Sequence, residues 1–140
     1  MPNAYVPVPA AAFEEFTTRG FRTGRERDEV TLVQESARIP GLRLVIYTSL
    51  SAGAAAARSV GSDAIRIALV AVGRDGRTRG VRAFPRVNRV GSVEALIARI
   101  RGRISDARLY ARDELVTCGC GAPAYRDSGR CAARCGRVTR

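Results

Sequence analysis

Four cysteines, Cys118, Cys120, Cys131 and Cys135, fall within the last 23 residues of a 140-residue chain that contains no histidine. They read as Cys-Gly-Cys, ten intervening residues, then Cys-Ala-Ala-Arg-Cys. Four thiolates are the ligand set of a tetrahedral structural zinc, and each close pair can clamp one side of an ion. Catalytic zinc is not expected, because four closed ligands leave no position for water. The first pair is separated by one residue, and Gly119 permits the tight bend this needs. Cys131 and Cys135, at i and i+4, suit one turn of helix. The same stretch carries Arg126, Arg130, Arg134, Arg137 and Arg140 against a single acid, Asp127. A zinc-held knob with that many guanidinium groups suits a polyanionic surface.

The rest of the chain repeats this bias. All 24 basic residues are arginine, against 13 acids, for a net charge of +11. A GC-rich coding bias accounts for arginine in place of lysine but not for the excess over acids. Such an excess favours nucleic acid, through counterion release and steering. Strand periodicity puts Arg82, Phe84, Arg86 and Asn88 on one face and Val81, Ala83 and Val87 on the other. Guanidinium groups flanking a ring match a single-strand surface, where arginine holds phosphates and a base stacks on the aromatic. The competing reading makes Phe84 a core residue, and a slip at Pro85 would exchange the two faces. Arg43, Tyr47 and Arg66, each in an apolar strand, are expected on the same sheet face as the Arg82 row. Arg79 and Arg89 flank that row. Arg99 and Arg103 lie one turn apart on the helix that follows, and Arg126 and Arg130 belong to the cysteine stretch. Arg58 sits in a small-residue loop whose amides could approach a phosphate, although an ordinary connector is the simpler reading.

The missing residues exclude much chemistry. Without histidine there is no Ser-His or Cys-His nucleophile pair. Without lysine there is no phosphate-binding G-x-x-x-x-G-K-[ST] loop and no Schiff base. Glu29, Glu35, Asp63 and Asp75 are the acids that a metal-dependent nuclease would have to use, but no spacing singles them out. The expectation is therefore no enzyme. No run approaches the roughly 20 apolar residues of a membrane span. The N-terminal Met-Pro-Asn-Ala-Tyr-Val-Pro-Val-Pro lacks the pattern of a signal peptide. These features predict a cytoplasmic protein, in whose reducing surroundings clustered cysteines bind metal.

The elements that must position these residues follow from periodicity. Ala10 to Phe21 predicts a short helix that docks Phe13 and Phe16. Arg19 to Asp28 reads as a polar loop. Strands are expected at Val30–Ser36, Leu42–Leu50, Ala64–Val72 and Thr78–Val90, the last interrupted near Pro85. Asp75-Gly76 marks a hairpin. Ser92 caps a helix from Val93 to about Arg112, with Val93, Leu96, Ile97, Ile100 and Ile104 forming its apolar stripe. The fold class is α+β: a four-stranded antiparallel sheet with N- and C-terminal helices on one face. Residues 1–112 form this nucleic-acid-binding body, and residues 113–140 form the four-cysteine ribbon.

Cys118, Cys120, Gly121, Ala122, Pro123, Arg126, Arg130, Cys131 and Cys135 resemble, in outline, the C-terminal four-cysteine zinc ribbons of type IA topoisomerases and phage DNA-binding proteins. Over about 23 residues, that resemblance implies Zn2+ and DNA contact. From about Ile65 to Arg108, the order strand, Asp-Gly turn, strand, basic helix is similar in topology to single-strand annealing proteins of recombination. These features predict a small DNA-binding accessory protein of phage or plasmid replication or recombination, with DNA favoured over RNA and no membrane partner. The alternative is a phage-type modulator that meets an acidic host protein, such as a polymerase or nuclease complex. Association into a homo-oligomer is left open.

Overall fold

The computed structural model describes residues 10–27, 29–51, 64–73, 75–88 and 92–133. The chain is α+β. Helix α1 (Ala10–Thr18) precedes strands β1 (Arg22–Glu26), β2 (Glu29–Glu35), β3 (Leu42–Ser51), β4 (Ala64–Val72), β5 (Thr78–Ala83) and β6 (Val87–Asn88). Helix α2 (Val93–Glu114) follows, then the short strands β7 (Leu115–Thr117) and β8 (Pro123–Tyr125). Strands β1 to β5 form an antiparallel meander in sequence order, and β6 pairs with the start of β4 beyond the end of β5.

Two expectations need correction. The sheet has five principal strands, because the segment read as a polar loop contains β1. This strand pairs with β2 from Arg22↔Val33 to Glu26↔Glu29, and Arg27 just after it has φ 56°. It is an edge strand exposed on both sides, so it carries no apolar alternation for periodicity to detect. Helix α1 stops at Thr18, short of Phe21, because Gly20 at φ 96° closes it. The Gly20 amide donates to Thr17 O at 3.2 Å and the Phe21 amide to Phe16 O at 3.0 Å. This is a Schellman motif, and its apolar contact is the edge-to-face pair Phe16–Phe21 with centroids 6.1 Å apart.

Elsewhere the local signals act as expected. Ser92 Oγ accepts from the Ala95 amide at 3.1 Å and caps α2. Gly76 takes φ 78° in the β4–β5 turn, and Asp75 Oδ1 accepts from the Arg77 amide. Pro85 interrupts the returning strand between β5 and β6.

One face of the sheet is covered by both helices. Leu44, Ile46, Ile67 and Leu69 meet Phe13 and Phe16 of α1 and Leu96, Ile100 and Ile104 of α2 in one continuous core. The opposite face carries a small valine cluster, Val33, Val45 and Val70, beneath charged side chains and Tyr47. Leu115 is fully buried in the main core, so the helix runs into the cysteine hairpin without a linker.

Candidate metal centre and nucleic-acid interface

Strands β7 and β8 form the hairpin that carries the first cysteine pair. Its loop is tight: Cys118 N donates to Ala122 O at 2.7 Å, and Gly121 N donates to Cys118 O at 2.8 Å. Gly121 has φ 94°, a conformation that glycine adopts without a Cβ clash. After β8 the chain turns through Gly129 (φ 72°) and returns, so that Cys131 bridges Ala124. Two well-separated stretches of sequence thereby bring Cys118, Cys120 and Cys131 together.

The three Sγ atoms lie within 4.8 Å of one another, with Cys118 and Cys131 buried and Cys120 half-buried. Cys120 Sγ and Cys131 Sγ are 3.6 Å apart. A disulfide would bring them to about 2.05 Å. Tetrahedral coordination with metal–sulfur bonds near 2.3 Å spaces its sulfurs about 3.8 Å apart. The spacing fits sulfurs sharing an ion, and the cluster could hold a metal. Cys135 lies outside the described residues.

The hairpin is bound to the body by more than the chain. Tyr125 packs on the main core, and its hydroxyl donates to Val81 O on β5 at 3.2 Å. Arg126 N donates to Glu114 O at 2.8 Å, and Arg126 Nε donates to Asp113 O at 2.9 Å, satisfying carbonyls at the end of α2. At Gly41 (φ 77°) a Cβ would sit 3.1 Å from Val72 O and 3.7 Å from Pro123 Cδ, so the β2–β3 turn also lies close against the hairpin. Arg130 is exposed.

The arginine face expected from the sequence is divided in two. Arg43, Tyr47 and Arg66 do share the open face, with Tyr47 directly opposite Arg66. There they meet carboxylates. Arg66 Nη2 bonds Glu29 Oε1 at 2.5 Å, and its guanidinium lies 4.5 Å from the Tyr47 ring centroid. Glu35 receives Arg22 at 2.8 Å and has Arg43 Nε at the same distance, the latter an ion pair whose N–H is not aimed at the oxygen. Burial, then the hydrogen bond to Glu26, pushes the Tyr47 hydroxyl up to about 12. Arg22, Arg43 and Arg66 against Glu26, Glu29 and Glu35 make this face charge-balanced.

Arg82 and Phe84 lie on the helix side instead. A bulge between Leu69 and Val70 breaks the alternation at Val81, and Pro85 ends the strand. Val81, Phe84 and Val87 consequently all contact the main core. Phe84 is half-buried, edge-to-face with Tyr110 of α2 at 6.3 Å, which is its core reading. Arg82 lies 5.3 Å from the same tyrosine ring, and Arg103 Nε donates to Pro85 O at 3.0 Å. Arg86 and Arg99 are exposed and have no ion pair among the described residues. Along the line where β5 and β6 meet α2, Arg82, Arg86, Arg99 and Arg103 thus have one ion-pair partner among the described residues, Asp106, 3.8 Å from Arg103. Arg79, on β5 opposite Ala71, is half-buried. Arg58 and Arg89 lie outside the described residues.

Sequence reasoning passed over Tyr110, which joins Arg82 and Phe84. Its position seven residues after Arg103 on the same helix, an i, i+7 relation, was the available signal. Of the acids considered for hydrolysis, Glu29 and Glu35 are held by arginines, Asp75 sits in the β4–β5 turn beside Arg77, and Asp63 lies outside the described residues. No helix among the described residues is long and apolar enough to cross a membrane.

Comparison with protein-family models, with curated proteins and with solved structures gives no match.

Proposed function

We propose that this chain is a small nucleic-acid-binding protein that holds single-stranded DNA along the β5–α2 edge, beside a zinc-clamped hairpin. The observation that carries this reading is the uneven pairing of arginines. On the open face each arginine has a carboxylate and adds little net field. At the edge, four arginines share Asp106 alone among the described residues, which leaves positive charge for phosphates. Tyr110 and Phe84 supply aromatic surface beside them, and the exposed parts of those rings suit a base or sugar. Zinc suits the donor set, since Cys118, Cys120 and Cys131 converge and four thiolates, the number of cysteines in the sequence, are a structural zinc's ligands. It would brace the hairpin that holds Tyr125 against β5. The role is that of a non-catalytic accessory in replication or recombination.

Fluorescence anisotropy with labelled single-stranded DNA, duplex DNA and RNA at low salt is the test. Tightest binding to single-stranded DNA is the expected result. Absence of binding to all three would refute the proposal. A single acidic protein retained from nuclease-treated extract would then favour the modulator reading.

A further inference from the structure

A second site lies on the other flank of α2. The apolar stripe of that helix narrows along its length, from Leu96, Ile100 and Ile104 to Ala107 and Ala111. The β2–β3 turn does not fill the space this leaves. A cavity of about 390 Å³ opens there, within the size range of small-molecule sites. Its floor is Leu42, Leu44 and Leu69, and Ala107 and Ala111 form the helix wall.

The rim is cationic. Arg38 reaches in from the turn, and Arg108 and Arg112 come from successive turns of α2. Arg38 and Arg108 have no carboxylate partner among the described residues. Arg38 Nη2 is steadied by Ala111 O at 2.5 Å and Arg108 Nη2 by Gln34 Oε1 at 2.8 Å, which leaves other N–H groups of each fork to bind an anion. Arg112 is engaged by Asp113 at 2.8 Å. The one carboxylate lining the cavity, Glu35, is already shared by Arg22 and Arg43.

An apolar floor beneath unneutralised guanidinium groups selects a ligand with two ends. We infer that this cavity binds a small amphipathic carboxylate, with its aliphatic body on Leu42, Leu44 and Leu69 and its charged group between Arg38 and Arg108. An apolar body alone would forfeit the charge-assisted hydrogen bonds, and an inorganic anion alone would forfeit the burial.

Octanoate and 1-octanol are the probes, each titrated into the intact, metal-loaded chain and followed by amide chemical-shift mapping. Saturable shifts confined to residues 34–44, Leu69 with its strand neighbours, and residues 104–112 are expected, with octanoate binding about tenfold tighter than octanol, as one charge-assisted contact implies. Arg108→Gln should remove most of that preference, and Ala111→Leu should fill the cavity and abolish both titrations. Arg108→Gln alters an exposed side chain and reads the charge preference even if Ala111→Leu does not fold. Scattered, non-saturating shifts would overturn the inference, as would an octanoate preference that survives Arg108→Gln. Oligonucleotide affinity, measured separately on the same variant, reports on the opposite flank, so the two proposals fail independently.

Discussion

The division of arginines between a neutralised face and an open edge predicts where salt sensitivity of DNA binding resides. Each phosphate neutralised on a single strand contributes about −0.7 to the slope of log K against log salt. If Arg82, Arg86, Arg99 and Arg103 each engage one phosphate, the slope is about −2.8. Affinity then falls roughly 50-fold between 50 and 200 mM salt. The double substitution Arg86→Gln/Arg99→Gln removes two contacts and should bring the slope to about −1.4. Both side chains are exposed and neither is ion-paired among the described residues, so the fold should tolerate the change. The matched control is Arg43→Gln/Arg66→Gln, which removes the same formal charge from the face where Glu35 and Glu29 already hold it. Its slope should stay near that of the parent. Anisotropy titrations at four salt concentrations measure all three proteins. Equal loss of slope in the two double variants would refute the reasoning, because the field would then be set by net charge and not by local pairing. A larger loss in the open-face variant would place the DNA on the other side of the sheet.

Further outcomes follow from the hairpin, the core and the open face. Metal analysis of the purified chain should find about one zinc per molecule, and Cys118→Ser should lower both the metal content and the melting temperature. Leu115→Ala, at a fully buried junction of helix and hairpin, should cost about 2–5 kcal/mol in denaturant unfolding. Tyr47 has its hydroxyl pushed up to about 12, and Tyr47→Phe should remove a step near pH 12 from the tyrosinate absorbance titration. The phenol in the unfolded chain titrates near pH 10. Its folded value is higher, so the neutral form's contribution to stability is complete below about pH 10 and is lost as pH rises through 12.

Local chemistry was the legible part of this fold. Ser92, Asp75-Gly76 and Pro85 act within a few residues, and each punctuates the chain where its type predicts. The strand Ala64–Val72 is apolar on both faces because one meets the helices and the other bears the valine cluster. Strand β1 was not legible, because an edge strand exposed on both sides needs no apolar pattern. The side on which Phe84 falls depends on a bulge opposite Leu69 and Val70, a cross-strand event that alternation within one strand does not encode. Of the metal centre, the donor type was visible in the spacing. The convergence of Cys131 on Cys118 and Cys120 required the return bridge to Ala124, which no motif specified. The neutrality of the open face was hidden for the same reason, since Glu29 is 37 residues from Arg66 in sequence.

The direct passage from α2 into β7 couples the direction of the cysteine hairpin to the phase of a helix. Glu114 ends the helix and Leu115 already belongs to both the hairpin and the core. One residue added to α2 would turn everything beyond it by about 100° and advance it about 1.5 Å. Tyr125 would lose Val81, and the sulfur cluster would swing away from the line of Arg82 and Arg86. Helix length here is therefore a gear setting. Insertions that a flexible tether would absorb should break this joint, which tolerates only changes that keep the count from Ser92 to Leu115.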